Sequence, residues 1–89
     1  MRRLEEAEQT AIRKIISEKS NVDLEKITDD SNMKDNLGID SLDIVEIVID
    51  LEEMFKCSIP DEDYDNARTI KDLFKIVEQN LETRQIKFN

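Results

Sequence analysis

One serine in this sequence has neighbours that raise the question of covalent chemistry. Ser41 lies three residues after Gly38, the only glycine in the chain, between Asp40 and a nearby Asp43. A serine nucleophile needs an adjacent general base, most often His, and the sequence contains no His. The Gly-x-Ser-x-Gly elbow of serine hydrolases is absent as well. The residues alone therefore argue against hydrolysis and favour helix capping as the role of Ser41.

The residues after Ser41 have the periodicity of a helix. Apolar side chains recur at spacings of three and four from residue 41 to residue 55, which predicts a helix about 22 Å long. Asp40 or Ser41 can cap it, because either side-chain oxygen can accept a hydrogen bond from a first-turn N–H. Asp43 is favoured near the positive end of the helix dipole. The core-facing side of this helix comprises Ile44, Ile47, Val48, Leu51 and Phe55.

Two further stripes run along the same helix. Four carboxylates form what we call the acid ridge, namely Asp43, Glu46, Asp50 and Glu53. Three apolar residues form what we call the outer strip, namely Leu42, Val45 and Ile49. An exposed apolar strip rimmed by charge is typical of a protein-docking surface. The alternative is a solvated acidic face beside a buried strip, and the pattern alone leaves both open.

Three other segments have helical patterns. Apolar spacing predicts a first helix from about residue 4 to residue 19, and residues 61–67 favour a short helical turn after Pro60. Thr69 and Asp72 have the spacing of a capping box at the start of a last helix. The apolar stripe of that helix is Ile70, Leu73, Phe74, Val77 and Leu81.

These elements predict an all-α fold. We expect a small antiparallel four-helix bundle of three longer helices and one short helix, with a long first loop over residues 20–39. Apolar residues in that loop should tether it to the core. The 89 residues suffice for one domain, with its core from about residue 8 to residue 82 and flexible ends.

The charge of the chain is concentrated in one segment. The net charge is −9, and residues 40–65 contain ten acidic residues and one basic residue, whereas the remainder is balanced. Such a surface repels nucleic acid and anionic membranes and attracts basic protein surfaces. The single cysteine, Cys57, rules out an intrachain disulfide and fits a reducing compartment. No apolar run is long enough for a membrane span, so we expect a cytoplasmic protein or the mature form of an organelle protein.

The segment DNLGIDSLDIVEIVIDLEEMF, residues 35–55, closely resembles the motif of acyl carrier proteins, in which Asp-Ser-Leu opens the second helix. The resemblance extends from about residue 11 to residue 81. It includes AIRKII in the first helix, DDSNMKDNLG in the loop, SIPDED after the second helix and TIKDLFKIV in the last one. Asp-Ser-Leu alone is a weak motif, but in this order of helices and followed by Ile-Pro-Asp-Glu it is specific.

The resemblance implies that Ser41 carries 4′-phosphopantetheine, attached by a phosphopantetheinyl transferase from coenzyme A, and that its thiol holds acyl groups as thioesters. Asp40 matches the family's acid before the serine. The acid ridge and the outer strip match the helix that docks on basic patches of the transferase, synthases, reductases and acyltransferases. The implied function is acyl carriage, for fatty-acid biosynthesis or a related pathway, by a monomer that is not itself an enzyme.

In this family the acyl chain can also enter the core between the second and third helices. Candidates to line that pocket are Ile44, Ile49, Leu51, Ile59 and Ala67, and their alternative role is ordinary core packing. The sequence departs from the family pattern at Asp50, where a small residue is usual. Tyr64 and Ala67 invert the expected order of small and large residues, which leaves the chain-length preference open. Polar residues also replace apolar ones in the first helix, at Glu8 and Ser20.

Three alternative functions stay open. Asp61, Asp63, Asp65 and Asp72 have the spacing of four EF-hand ligands, although Asn66 replaces the glycine of that loop and the sequence favours no dedicated metal site. An acidic adaptor without a prosthetic group would use Ser41 only as a cap. A specialised polyketide or peptidyl carrier would share the attachment serine.

Overall fold

The computed structural model describes the backbone of residues 2–86 and the side chains of residues 2–81. Within this range the chain forms four α-helices: α1 (Glu6–Ser20), α2 (Ser41–Phe55), α3 (Asp61–Tyr64) and α4 (Ile70–Ile86). The described residues contain no β-strand beyond one isolated bridge. The predicted all-α class, with three longer helices and one short one, is confirmed. The single-domain assignment stays a prediction, and the ends expected to be flexible include residues 1 and 87–89, which lie outside the described range.

The core is built from one face of each long helix. All five predicted stripe residues of α4 are buried, and α2 buries four of its five predicted core residues, while Ile44 is half-buried. The pattern was less accurate for α1, where Ala7 is exposed and Leu4 is buried although it precedes the helix. The buried residues of α1 are Ile12 and Ile16, and those of α2 are Ile47, Val48, Leu51 and Phe55.

The long loop between α1 and α2 is held against the start of α4. It contains a 3₁₀ turn, Leu24–Lys26, and buries several apolar side chains in the core. Backbone hydrogen bonds join it to the residues around Thr69: the N–H of Met33 donates to the Arg68 carbonyl at 2.8 Å, and the N–H of Lys71 donates to the Asp29 carbonyl at 2.9 Å. These bonds satisfy backbone groups that a free loop would leave to water. The buried loop residues are Ile27, Met33, Leu37 and Ile39.

The start of α4 is the predicted capping box. The N–H of Asp72 donates to Thr69 Oγ1 at 3.2 Å, and Thr69 and Arg68 donate their N–H groups to Asp72 Oδ2 at 3.1 and 2.9 Å. The bond from Arg68 is the largest cause that holds the pKa of Asp72 below its usual range. The loop before α4 is therefore fixed by side-chain bonds as well as by the first loop.

The polar residues of α1 and α4 that the apolar pattern did not explain have defined partners. Glu8 accepts the N–H of Glu5 in a capping box and an Nη2–H of Arg2 at 2.7 Å, and the bond from Arg2 is the main cause that lowers the pKa of Glu8. The buried carboxylate of Glu78 accepts the N–H of Leu4 at 2.8 Å. The segment before α1 is thereby attached to α4.

Candidate functional site

A left-handed turn places Ser41 at the surface. Gly38 has φ of 67°, a conformation that other residues adopt only at a cost. The chain then buries Ile39, which is 1 % exposed, and leaves Asp40 and Ser41 exposed. Beyond Gly38 and its two chain neighbours, no heavy atom of the described residues lies within 4 Å of a Cβ added at this position. The glycine is therefore required by the backbone turn and not by crowding.

Asp40, and not Ser41, caps α2. Oδ1 of Asp40 accepts the N–H of Asp43 at 2.9 Å, and Oδ2 of Asp43 accepts the N–H of Asp40 at 3.2 Å. Asp43 thus has a capping role as well as a place on the acid ridge. The sequence had left Asp40 and Ser41 as alternative caps. Since the cap is formed by Asp40, Ser41 is the first helical residue and its hydroxyl is not used to start the helix.

In the part of the chain whose side chains are described, no base is hydrogen-bonded to the hydroxyl of Ser41. Among the described residues none forms a hydrogen bond with its side chain, and the nearest acid in sequence, Asp40, accepts a backbone hydrogen bond instead. This arrangement leaves the Ser41 hydroxyl exposed and open to a base supplied by another protein. It suits a residue on which another enzyme acts, and not a nucleophile of this chain.

A groove of about 520 Å³ begins beside Ser41. Apolar side chains from the first loop, α2 and the loop before α4 contribute to its lining, and charged side chains contribute as well. Because the groove joins an exposed hydroxyl to an apolar surface, it can accept an arm attached at Ser41. Its lining residues include Met33, Ile39, Asp40, Ser41, Ile44 and Ala67.

The five pocket candidates occupy three different places. Ile44 and Ala67 line the groove. Leu51 and Ile59 are buried in the core but do not line it. Ile49 is 48 % exposed and belongs with the outer strip, which argues against a place for it in the pocket. The sequence missed Ile39 and Met33 as lining residues because they lie in a loop, where apolar periodicity has no meaning.

The outer strip is exposed. Leu42 is 75 % exposed, Val45 39 % and Ile49 48 %, and with Met54 they are the large hydrophobic residues exposed within the described range. The alternative of a buried strip beside solvated acids is therefore wrong. On the acid ridge, Glu46 and Glu53 are exposed, whereas Asp43 and Asp50 are half-buried. α2 thus presents contiguous apolar area beside negative charge.

One cation from α1 meets the acid ridge. Lys19 Nζ lies 2.9 Å from Glu46 Oε1. The hydrogen bond that Lys19 donates to Glu46 is the largest cause that raises the pKa of Lys19, and the charges of Asp50 and Asp43 add to it. Sequence reasoning missed this ion pair because its members lie on different helices, 27 residues apart.

The acids of the EF-hand alternative do not form a metal site. Asp61 accepts a hydrogen bond from the Tyr64 hydroxyl, Asp63 accepts one from Asn80, and Asp72 caps α4. Among the described residues no group of three or more His, Cys, Asp or Glu side chains could hold a metal ion. Asp61 and Asp63 lie within α3 itself, where an EF-hand would require a loop.

Two smaller sequence predictions can also be compared with the structure. Cys57 is half-buried and packs against the core, which confirms its expected packing role. In the described part of the chain, no helix combines the length and the apolar character needed to cross a membrane.

Comparison with known proteins agrees with this geometry. The family model described as "Phosphopantetheine attachment site" matches residues 10–77. A protein named "Acyl carrier protein" from Syntrophobacter fumaroxidans is 49 % identical over 74 residues, which cover 83 % of this chain and 91 % of the relative. The chain therefore belongs to the phosphopantetheine-attachment domains and, among them, to the acyl carrier protein family. The prosthetic group of this family is covalently attached 4′-phosphopantetheine, which argues against an adaptor without a prosthetic group.

Proposed function

We propose that Ser41 is the residue that carries 4′-phosphopantetheine and that the loaded chain transports acyl groups as thioesters. The observation that carries the proposal is the position of Ser41 as the first residue of α2, exposed and free of the capping role. It lies inside the range that matches the attachment-site model. The groove beside it offers an attached arm apolar side chains and two cations, Lys34 and Arg68, together with three carboxylates, Asp35, Asp40 and Asp65. The apolar and cationic side chains fit the group.

In this proposal the chain is a substrate and not a catalyst. Ser41 presents its hydroxyl, and the transferase must supply the base because the chain has no His and Asp40 is held by the cap. When bound, the arm supplies the thiol that forms the thioester. The chain's own contribution is to hold Ser41 at a fixed helix start, clear of the core.

The outer strip and the acid ridge form the proposed docking surface. Leu42 lies next to Ser41, and the ridge continues to Glu53. Acids such as Glu46 and Asp50 would orient basic patches of the phosphopantetheinyl transferase, synthases, reductases and acyltransferases, while the strip supplies contact area. The same surface would serve all of these partners, since it adjoins the arm that each must reach.

The proposed acyl pocket extends from the groove into the core. Ile44 and Ala67 line its opening, and the buried side chains of Leu51 and Ile59 lie in the core. Tyr64 is half-buried against the core and is the large side chain of α3. Entry of an acyl chain would require these side chains to move apart, because the core is otherwise closely packed.

We place this carrier in fatty-acid biosynthesis or a related acyl pathway, as a monomer in the cytoplasm. A polyketide or peptidyl carrier is the second candidate, because it would use the same attachment serine. The acidity of residues 40–65 favours acyl carriage. Loading with different acyl groups distinguishes the two candidates.

Intact mass tests the attachment. The purified chain is measured before and after incubation with coenzyme A, Mg²⁺ and a broad-specificity phosphopantetheinyl transferase, beside Ser41→Ala and a matched control, Ser58→Ala, at another exposed serine. We expect the wild type and Ser58→Ala to carry one phosphopantetheine, and Ser41→Ala to carry none. A wild type that carries no phosphopantetheine after incubation while a known carrier is modified, or a Ser41→Ala variant that carries one, would contradict the proposal.

A further inference from the structure

Two cations line the groove beside Ser41. Lys34 belongs to the first loop and Arg68 to the loop before α4, and both contribute to the lining together with Ser41. This placement is unusual in a chain with 22 acidic and 13 basic residues, whose acids are concentrated around α2. We propose that Arg68 is a positioning residue that pairs with the phosphodiester of the arm, with Lys34 as the second, weaker contact.

The backbone of Arg68 is fixed relative to Ser41. Its carbonyl accepts the N–H of Met33 at 2.8 Å, and the carbonyl of Met33 accepts the N–H of Ile39, also at 2.8 Å. Ile39 is two residues before Ser41. The N–H of Arg68 donates to Asp72 Oδ2 in the cap of α4. The backbone of Arg68 is therefore fixed by the starts of α2 and α4 and by the first loop. Its side chain begins at a defined point on the groove wall.

The guanidinium of Arg68 is available for a further partner. Within the described part of the chain it makes one long hydrogen bond, 3.5 Å from Nη1 to the carbonyl of Ala67, and no carboxylate lies within 4 Å of it. Arg2 and Arg13, in contrast, each have a carboxylate partner at 2.7 and 3.7 Å. A planar guanidinium suits phosphate oxygens, because its N–H groups can donate two parallel hydrogen bonds.

The phosphodiester is the first group beyond Ser41 and carries a negative charge at neutral pH. Asp35, Asp40 and Asp65 also line the groove and would repel it, whereas Arg68 and Lys34 offset that repulsion. Pairing with Arg68 directs the start of the arm towards Ala67 and away from the outer strip. The strip then stays free for partners while the arm lies in the groove. This inference rests on the proposed attachment at Ser41.

The test uses the holo protein and two NMR readouts. The Nε–Hε signal of Arg68 is compared between apo and holo forms, and the ³¹P resonance of the phosphodiester is followed from low to high salt. The variants are Arg68→Gln, Lys34→Gln and the conservative Arg68→Lys. Arg3→Gln and Lys26→Gln are matched controls, since they remove the same charges from exposed positions outside the groove.

We expect the Arg68 signal to shift on loading and the Arg3 signal to stay unchanged. The ³¹P resonance of the wild type should move with salt, because the screening length falls from about 10 Å at 0.1 M to about 3 Å at 1 M. In Arg68→Gln the paired population should fall about twofold to fivefold, so the resonance stays near its high-salt position. Arg68→Lys should restore part of the salt dependence, and the two control variants should behave like the wild type.

Two results would overturn the assignment. One is an Arg68 signal identical in apo and holo protein, together with a ³¹P resonance that Arg68→Gln leaves unchanged. The other is a ³¹P change confined to Lys34→Gln, which would place the phosphate on the loop side. Failure of the attachment itself is recognised beforehand, because intact mass would show a wild type without the arm or a loaded Ser41→Ala. Unfolding curves of each variant separate a lost contact from a lost fold.

Discussion

α2 and α4 have similar apolar patterns but place their side chains differently. All four large hydrophobic residues exposed in the described part of the chain belong to α2, while α4 buries its entire predicted stripe. The polar residues of α4 are used internally: Glu78 binds the segment before α1, and Asn80 donates to Asp63. α4 therefore serves to stabilise the fold, whereas one side of α2 is available for partners.

Replacing one leucine with alanine in each of the two helices should separate these roles. The first substitution is in α4. Leu73 is 1 % exposed, so Leu73→Ala removes buried methyl groups and leaves a cavity. We expect the free energy of unfolding to fall by about 2–5 kcal/mol, measured by urea denaturation. The rate of phosphopantetheine transfer per folded molecule should stay unchanged. A stability loss below about 0.5 kcal/mol would show that α4 is not the structural helix.

Leu42→Ala is the matched change on the outer strip. Leu42 is 75 % exposed and lies next to Ser41, so its truncation should change the unfolding free energy by less than about 0.5 kcal/mol. If the strip is a docking surface, transfer should slow about fivefold to thirtyfold, since truncation of a central contact costs about 1–2 kcal/mol. Initial transfer rates at low acceptor concentration measure this effect. Unchanged rates would remove Leu42 from the docking surface.

Asp72→Asn tests how much the cap of α4 stabilises the fold at different pH values. The pKa of Asp72 is lowered in the folded state, chiefly by the N–H of Arg68. Its contribution is therefore complete above the unfolded pKa, near 3.8, and is lost as pH falls through the lower folded value. We expect Asp72→Asn to cost about 0.5–1 kcal/mol at pH 7 and progressively less as the solution is acidified. If the unfolding free energies of the wild type and Asp72→Asn differed by the same amount at all pH values, the Asp72 carboxylate would not be the cause of the difference.

Lys19→Gln should have the smallest effect of these substitutions, and the effect should be on the affinity for a basic partner. Lys19 pairs with Glu46 and so competes with a basic partner for the acid ridge. Its removal should strengthen binding of a basic partner up to about fivefold at low salt, because exposed ion pairs contribute little, and salt should reduce the gain. Titration of the transferase in 20 mM and 500 mM NaCl checks this, with Lys26→Gln as the control. A loss of affinity in Lys19→Gln would contradict the competition.

Much of the fold could be predicted because each helix carried a local signal. The start and end of α2 follow from the spacing of its apolar residues, and Thr69 with Asp72 marked the start of α4. Both are short-range patterns, set by neighbours three or four residues apart. Ala7 and Leu4 were assigned less well, because burial at a helix end depends on distant partners such as Glu78.

The candidate site also has some features that a local sequence pattern predicts and others that depend on distant residues. Ser41 and the outer strip could be identified as candidates from one segment, and the structure adds that Asp40 is the cap and that the strip is exposed. Ile49 could not be assigned to one role, because α2 has two apolar stripes and the pattern leaves open whether the second one is buried. Lys19 and Arg68 were missed because each meets the site through tertiary contacts. The groove beside Ser41 is likewise a product of three chain segments.

The most direct test of a docking surface on α2 compares two variants, one that loses two charges from α2 and one that loses two charges elsewhere. Glu46→Gln/Glu53→Gln and Glu25→Gln/Glu62→Gln change the net charge equally, and all four residues are exposed. If α2 is the docking surface, transfer to Ser41 should slow about fivefold to tenfold for the α2 pair and less than about twofold for the control pair. High salt should reduce this difference. Equal slowing by both pairs would mean that only total charge matters and would contradict a docking surface on α2.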